Sequence, residues 1–405
     1  MKNTLQFPQN FSRSVRMIML ALLALGMAVC AQAQTLSEHG PSGLRQLAVL
    51  TASDSGGISS GFGVAIAMSG DTIVVGAPGA GAAYVFVKPA SGWANMTQTA
   101  ELTPSDGALA LDFGLSVGIS ANTIVVGSYS HNAAYVFTQP QGGWKNMTET
   151  AVLSSDNGVA TLFGEWVAID GTTIAVSEPK TFSYRGRVQV FTEPAGGWVS
   201  ATPTGSIIAS DTKANSNFGA SLSVSGSTIV VGAYGNNDNQ GGAYVFVQPA
   251  AGWSGSHSQK AELTAYDGRA QDFFGAAAAI NGNTIVVGAQ FKNNPIGAAY
   301  VFVEPASGWK NMTQTGELSA SDAVGANYFG NAVAIAPTKI AVGSATNLTS
   351  GAVYTYLEPS GGWKNMLANS EVTVAGGLYG SAVALSGTTL VAGADADGVA
   401  HVFGP

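Results

Sequence analysis

Few of the residue types that carry out enzyme chemistry occur in a pattern that would let them act together. The 405-residue chain has four histidines, whose spacing fits no metal site, and a single cysteine, Cys30. It has no phosphate-binding loop of the P-loop type. We therefore expect no catalytic residues, no metal ion and no cofactor, and we predict that the protein is not an enzyme.

One carboxylate and one aromatic residue recur at regular intervals. A ring of carboxylates would suit a cation, and a ring of indoles would suit stacking on sugars. Repetition in nearly every unit instead favours structural roles, with the aspartates in turns and the tryptophans at sheet edges. The aspartates are Asp54, Asp106, Asp156, Asp211, Asp267 and Asp322, and the tryptophans are Trp93, Trp144, Trp198, Trp253, Trp309 and Trp363.

The elements that would position these residues belong to a repeat of 50 to 56 residues. Each unit opens with Phe-Gly, or once with Tyr-Gly. An apolar run such as Thr72–Gly76 follows, and then an aromatic-rich run such as Ala83–Phe86. The units open at Phe62, Phe113, Phe163, Phe218, Phe274, Phe329 and Tyr379.

The runs are short, rich in Val, Ile, Thr, Tyr and Phe, and bounded by Gly, Pro, Asn or Asp, which predicts strands. Four strands in about 50 residues make one propeller blade. The second strand is apolar without alternation, which indicates burial on both faces. We predict an all-β fold, with residues 34–405 forming one seven-bladed β-propeller of four-stranded blades.

The two ends of the chain predict how the ring closes. The seventh unit stops at His401–Pro405 without a fourth strand, whereas Gln46–Asp54 matches the fourth strand that ends at Asp106. We expect the N-terminal strand to complete the last blade beside the C-terminal strand.

Thr72–Pro78 and Gly81–Phe86 show most clearly what the unit resembles. Its Phe-Gly opening, Val-Gly-Ala run and Gly-Ala-x-Tyr-Val-Phe run are similar to the FG-GAP repeats of integrin α-subunit propellers, in the manner of exported bacterial members of that family. The resemblance covers Gln46–Pro405 and implies a propeller fold with a role such as adhesion. The family's calcium loop is not matched, because links such as Ser69–Thr72 are too short and too poor in carboxylates.

The first 33 residues predict a secretory signal peptide. Three basic residues precede the apolar run Met17–Val29, and Ala31–Ala33 fits cleavage before Gln34. The run is too short for a comfortable membrane span, and Cys30 follows a valine that does not fit a lipoprotein signal. We expect a secreted or cell-envelope protein, in the periplasm or on the outer surface, without a lipid anchor or a transmembrane segment.

Composition narrows the choice of partners. Only 10% of the residues are charged, whereas ordinary globular domains have about 25%. The formal charge is −8, and removal of the three basic residues in 1–33 would make it −11. An acidic chain disfavours nucleic acid. We expect a monomer that binds a cell-surface or extracellular protein or glycan.

The links between second and third strands differ from unit to unit, as do the links from a fourth strand to the next unit. Antiparallel order places both sets on one face, and repeat proteins carry varied loops on the binding face. The link residues that we predict to contact a ligand are Tyr129, His131, Tyr184, Arg185, Tyr234, Asn236, Asp238, Phe291 and Lys292.

These observations predict an exported, non-enzymatic recognition or adhesion module that binds through this face. Two alternatives stay open. One is an exported glycan-active enzyme with a site at the mouth of the central channel. The other is a purely structural envelope protein.

Overall fold

The computed structural model describes residues 43–405 apart from 55–59, 107–111, 159–160, 295, 323–327, 346–350 and 374–378. The predicted signal peptide, residues 1–33, and Cys30 lie outside the described residues. The described chain forms seven small sheets, each built on four antiparallel strands, in a seven-bladed β-propeller. The predicted fold class is therefore confirmed.

The two inner strands of each blade form a hairpin, and the blades are numbered along the chain. The first strands are β2 (Ala65–Ser69), β7 (Ser116–Ser120), β11 (Val167–Asp170), β15 (Ser221–Ser225), β20 (Ala277–Asn281), β25 (Phe329–Ala336) and β30 (Tyr379–Ser386). The second strands are β3 (Thr72–Ala77), β8 (Thr123–Ser128), β12 (Thr173–Glu178), β16 (Thr228–Ala233), β21 (Thr284–Ala289), β26 (Lys339–Ser344) and β31 (Thr389–Ala394).

The outer strands continue each sheet away from the inner hairpin. The third strands are β4 (Ala82–Val87), β9 (Ala133–Thr138), β13 (Arg187–Thr192), β17 (Gly242–Val247), β22 (Ala298–Val303), β27 (Ala352–Leu357) and β32 (Val399–Gly404). The fourth strands are β6 (Ala100–Leu102), β10 (Ala151–Ser154), β14 (Gly205–Ile207), β19 (Ala261–Thr264), β24 (Gly316–Ser319), β29 (Ser370–Thr373) and, for blade 7, β1 (Arg45–Thr51).

The N-terminal strand closes the ring as predicted. β1 pairs antiparallel with β32, placing Leu50 opposite Ala400. Arg45 Nε also donates a hydrogen bond to Pro405 O at 3.3 Å. The last blade is thus built from both ends of the propeller, which leaves no break in the ring between blades 7 and 1.

The hydrophobic core lies between blades. Seven clusters of buried residues each draw their members from two neighbouring blades. Residues Ile73–Val75 of β3 have no exposed surface, so the second strand is buried on both faces as predicted. Phe62 of the first Phe-Gly opening enters this core, with its ring 5.7 Å from that of Tyr84.

Glycine meets glycine at six of the seven junctions. The glycine of a Phe-Gly opening contacts the second-strand glycine of the preceding blade, and a methyl group on Gly76 would overlap Gly114 O. Gly114 has a φ of +92°, which L-residues with a side chain rarely adopt. The pairs are Gly76–Gly114, Gly127–Gly164, Gly232–Gly275, Gly288–Gly330, Gly343–Gly380 and Gly393–Gly63; at the seventh junction Ser177 faces Gly219.

The segment after each Pro-x-x-Gly-Trp crosses to the preceding blade, which the sequence reading missed. Asn95 Oδ1 accepts a hydrogen bond from Val49 N at 2.8 Å, and Asn311 Oδ1 accepts one from Glu262 N at 2.9 Å. The tryptophans that precede these segments are buried. Four segments form a fifth, parallel strand on the preceding blade: β5 (Met96–Thr97), β18 (Gly255–His257), β23 (Met312–Thr313) and β28 (Met366–Leu367).

The recurring aspartate also joins neighbouring blades. Tyr135 OH in blade 2 donates a hydrogen bond at 2.6 Å to Asp106 Oδ2, which follows the last strand of blade 1. Burial, and then the bonded carboxylate, raise the pKa of this tyrosine. Five of the six recurring aspartates bond a tyrosine of the next blade, a partner that the expected turn role did not include, whereas Asp156 pairs with Arg187 and Gln189. The pairs are Tyr84–Asp54, Tyr135–Asp106, Tyr244–Asp211, Tyr300–Asp267 and Tyr354–Asp322.

Blade 7 carries His401 where these blades carry the tyrosine. Its side chain is buried beside the closing strand, with Nδ1 3.0 Å from Gln46 Oε1. Burial lowers the pKa of His401 to about 4. The neutral imidazole is therefore the form that the closed ring favours.

We predict that His401 makes stability fall as the pH falls from about 6.5 to about 4. In that window the unfolded chain takes up a proton on His401 that the folded chain does not, which costs at most about 3 kcal/mol. The variant H401Q places there the residue that blade 3 has, Gln189, and should remove this contribution. Urea unfolding of both proteins at about pH 7 and about pH 4.5 measures it; equal losses of stability would contradict the prediction.

Candidate functional site

The links that vary between blades lie together. In each antiparallel blade, the link from second to third strand and the link from fourth strand to the next blade leave the sheet at the same end. We call this end the variable-loop face. It holds two four-residue turns whose last three residues have left-handed backbone, α1 (Thr181–Tyr184) in blade 3 and α2 (Asn236–Asn239) in blade 4.

Tyr129 and His131 are half-buried in the link of blade 2. His131 Nδ1 lies 3.0 Å from Ser128 Oγ, and that hydroxyl donates to Asp112 Oδ1 at 2.8 Å. A nucleophilic triad needs the histidine between the serine and the aspartate, whereas here the serine is central and fully buried. The cluster therefore shapes the link and does not present a nucleophile.

Arg185 and Asn236 anchor their loops, although both were predicted to contact ligand. Arg185 donates from Nε to Thr212 Oγ1 and from Nη2 to Ala209 O, each at 3.2 Å. Asn236 is buried, and its Nδ2 donates to Tyr244 OH at 2.8 Å. Their polar groups serve the fold because the loops need internal partners for buried donors.

Lys292 was also predicted to contact ligand, but it is buried in an ion pair. Its Nζ lies 2.6 Å from Asp267 Oδ2, donates to Asp267 O at 2.7 Å and lies 3.6 Å from Asp272 Oδ2. Burial of Asp267 opposes its ionisation, but hydrogen bonds from Lys292 and Tyr300 hold its pKa below the ordinary value. The ammonium thus ties two links of blades 4 and 5 together.

Tyr234 and Phe291 belong to a row of four half-buried rings across blades 4 to 6. Ring centroids are 5.5 Å apart for Tyr234–Phe273, 4.8 Å for Phe273–Phe291 and 5.4 Å for Phe291–Tyr328. We call these four residues the aromatic row. The sequence reading missed Phe273 and Tyr328, which stand directly before a Phe-Gly opening.

Both of the missed residues adopt a left-handed backbone. Phe273 has φ +57° and Tyr328 φ +48°, at the position where other units have Gly61, Leu162 or Asn217, also with positive φ. Glycine and asparagine adopt this region at little cost, whereas bulky residues do not. Strain of this kind clusters at functional sites. Leu162 shares the strain, but only Phe273 and Tyr328 combine it with a row of contacting rings, which makes the aromatic row the strongest candidate site.

Tyr184 and Asp238 lie in α1 and α2, at positive φ values of +62° and +56°. Asp238 is exposed and Tyr184 half-buried. Within the described ranges, no group of three or more His, Cys, Asp or Glu side chains could hold a metal ion. No helix of the described chain is long and apolar enough to cross a membrane.

The fold is a repeat propeller whose variable links share one face. The FG-GAP repeat family matches residues 44–86, 96–137, 202–246, 257–302 and 312–356, which is more than half of the chain. The protein therefore belongs to the FG-GAP repeat family. Propellers of this family are typically non-enzymatic and extracellular modules.

No curated protein matches the sequence. A crystal structure of the computationally designed Ika8 protein is 16% identical, covering 89% of this chain and 99% of that one, with a TM-score of 0.47. The unmatched residues 138–201 and 357–405 include the two blades that depart most from the repeat, with Ser177 and Gln189 in blade 3 and His401 in blade 7.

We predict that K292A lowers the free energy of unfolding by about 3 kcal/mol or more, because it leaves the Asp267 carboxylate without its cation. The matched variant K213A removes an exposed lysine of the same face and should change stability by less than about 0.5 kcal/mol. Urea unfolding measures both. Equal effects of the two substitutions would show that Lys292 is not a structural anchor.

Proposed function

We propose that the protein is exported after removal of residues 1–33 and acts as a non-enzymatic recognition or adhesion module. Its variable-loop face binds a protein or glycan of the cell surface or extracellular space. The family, whose members are typically extracellular, and the Ala31–Ala33 cleavage pattern support export.

The observation that carries this proposal is the aromatic row. Four rings contact one another in a row on one face, at positions where blade 1 has Pro78, Gly79 and Gly61. The turn itself does not require an aromatic ring, since Gly61, Leu162 and Asn217 make the same turn. Phe273 and Tyr328 are therefore best explained by contact with a partner.

The propeller suits this task because the loops stand on a rigid frame. The glycine pairs, the crossing segments and the Tyr–Asp bonds hold each blade against the next. A rigid frame lowers the conformational entropy lost when the loops bind. Differences between loops then determine the ligand without changing the fold.

The variant F273N/Y328N tests the proposal. Asparagine is the residue that the chain itself uses at this turn, at Asn217, so the backbone is retained and only two rings are lost. We expect binding of the labelled full chain to envelopes of the source organism to fall by roughly 10-fold or more. Thermal unfolding should shift by less than about 5 °C.

The matched control is V247S/L357S, which removes two exposed apolar side chains at the opposite ends of the blades. It should leave binding unchanged. If F273N/Y328N stays folded and binds as well as the unmodified protein, the variable-loop face is not the binding face. Turnover of envelope glycans by the purified protein would instead support the enzyme alternative.

A further inference from the structure

Two loops of the variable-loop face share one backbone but differ in sequence. In blade 3, Ser183 O, Tyr184 O and Arg185 O accept hydrogen bonds from the amides of residues 215, 217 and 218. In blade 4, the carbonyls of residues 238, 239 and 240 accept the equivalent bonds from the amides of residues 271, 273 and 274. The two loops therefore dock on the next blade in the same way.

The same three positions are left-handed in both loops. In blade 4 they are Asn237, Asp238 and Asn239, with φ of +48°, +56° and +63°. Asparagine and aspartate enter this region more readily than other residues with a side chain. Blade 5 likewise places asparagine at positions 293 and 294, with φ of +55° and +42°.

Blade 3 makes this loop from Phe182, Ser183 and Tyr184, with φ of +53°, +59° and +62°. Aromatic side chains are unfavourable there, and the Phe182 ring is 62% exposed, so burial does not compensate for the strain. The loop backbone does not require this choice, since blade 4 closes the same loop with favourable residues. Retained strain of this kind indicates a role in binding.

The exposed side chains of this face point to the chemistry of the ligand. Among the described residues, its large exposed hydrophobic side chains are the rings of Phe182 and Tyr266. The exposed aliphatic residues lie elsewhere, for example Val247 and Leu357 at the opposite ends of third strands. A flat ring set among polar side chains matches a sugar, whose C–H face is apolar and whose edge carries hydroxyls.

Polar groups near the strained loop match the hydroxyls of a sugar. Ser183 is exposed, and so is Asn215, whose backbone amide donates to Ser183 O at 3.1 Å. Hydroxyl and amide side chains both donate and accept hydrogen bonds, as sugar hydroxyls do. Lys213, exposed two residues before Asn215, adds a cation that suits acidic sugars.

We propose that residues Phe182–Tyr184 form an oligosaccharide-binding site in which the Phe182 ring stacks on a sugar face. This site rests on the proposed function and specifies it: the partner is a glycan, and blade 3 contacts it through a loop separate from the aromatic row. Ser183 and Asn215 supply hydrogen bonds to sugar hydroxyls.

The test grafts the blade 4 loop into blade 3. The full-chain variant F182N/S183D/Y184N carries the sequence of Asn237–Asn239 on a backbone that already has its geometry. Binding is measured on an array of neutral and acidic oligosaccharides, and then by titration with the best-bound free oligosaccharide. We expect a loss of affinity of roughly 10-fold or more, together with a thermal midpoint that is unchanged or higher.

L357N is the matched control. It removes an exposed apolar side chain (53% exposed) at the end of a third strand, away from the variable-loop face, and this variant should bind normally. Should the triple variant misfold, the single variants F182N and Y184N replace it, with the loss expected in F182N. A folded graft that keeps full affinity overturns the site. If the unmodified protein binds no oligosaccharide but still binds envelope proteins through the aromatic row, the glycan assignment fails and the proposed function stands.

Discussion

The close contact between glycines at the blade junctions is the constraint on which the rest of this propeller depends. At Gly76–Gly114 and its five counterparts, the backbone of one blade touches the backbone of the next, with no room for a methyl group. This approach brings the second strand of one blade against the start of the next blade, and the buried clusters draw their members from both blades. The second-strand glycine recurs because a side chain there would overlap the carbonyl oxygen of the next Phe-Gly opening, and the glycine of that opening recurs because its φ is positive.

The outer parts of the blades are joined by polar contacts that follow from this spacing. The carboxylate at the end of one blade reaches the tyrosine hydroxyl of the next, and the segment after each tryptophan crosses back to the preceding fourth strand. Because these contacts recur in most blades, a blade that lacks one of them can be recognised. Blade 3 replaces the glycine by Ser177 and the tyrosine by Gln189, and it also carries the strained Phe182 loop.

The fold could be predicted because the signals are local and repeated. The Phe-Gly openings, the unbroken apolar second strands and the missing fourth strand after His401 predicted seven blades closed by β1, and all of this is confirmed. The crossing strands could not be predicted, because the partner of Asn95 is Val49, a residue in another unit. The sequence Asn-Met-Thr at residues 95–97 contains no signal that identifies Val49 as the partner.

The sequence predicted which face of the propeller carries the variable links, but not which residues of that face are exposed. Residue type did not separate loop anchors from exposed groups: Asn236 and Lys292 are of types usually found at the surface, but both are buried, with partners in a neighbouring strand and link. Phe182 was passed over in favour of Tyr184, and only the matching backbone of Asn237–Asn239 reveals its strain. The strain at Phe182 is detected by comparing the backbone dihedral angles of equivalent loops in this chain, and residue composition alone does not show it.

The most direct measurement of the central constraint is the stability of G288A beside that of G361A. Gly288 contacts Gly330 O across a junction, whereas Gly361 has no atom within reach of an added methyl group and no positive φ. Urea unfolding should show a loss of about 1–3 kcal/mol or more for G288A, and a change within about 0.5 kcal/mol for G361A. If both variants are equally stable, glycine contact does not set the spacing of the blades.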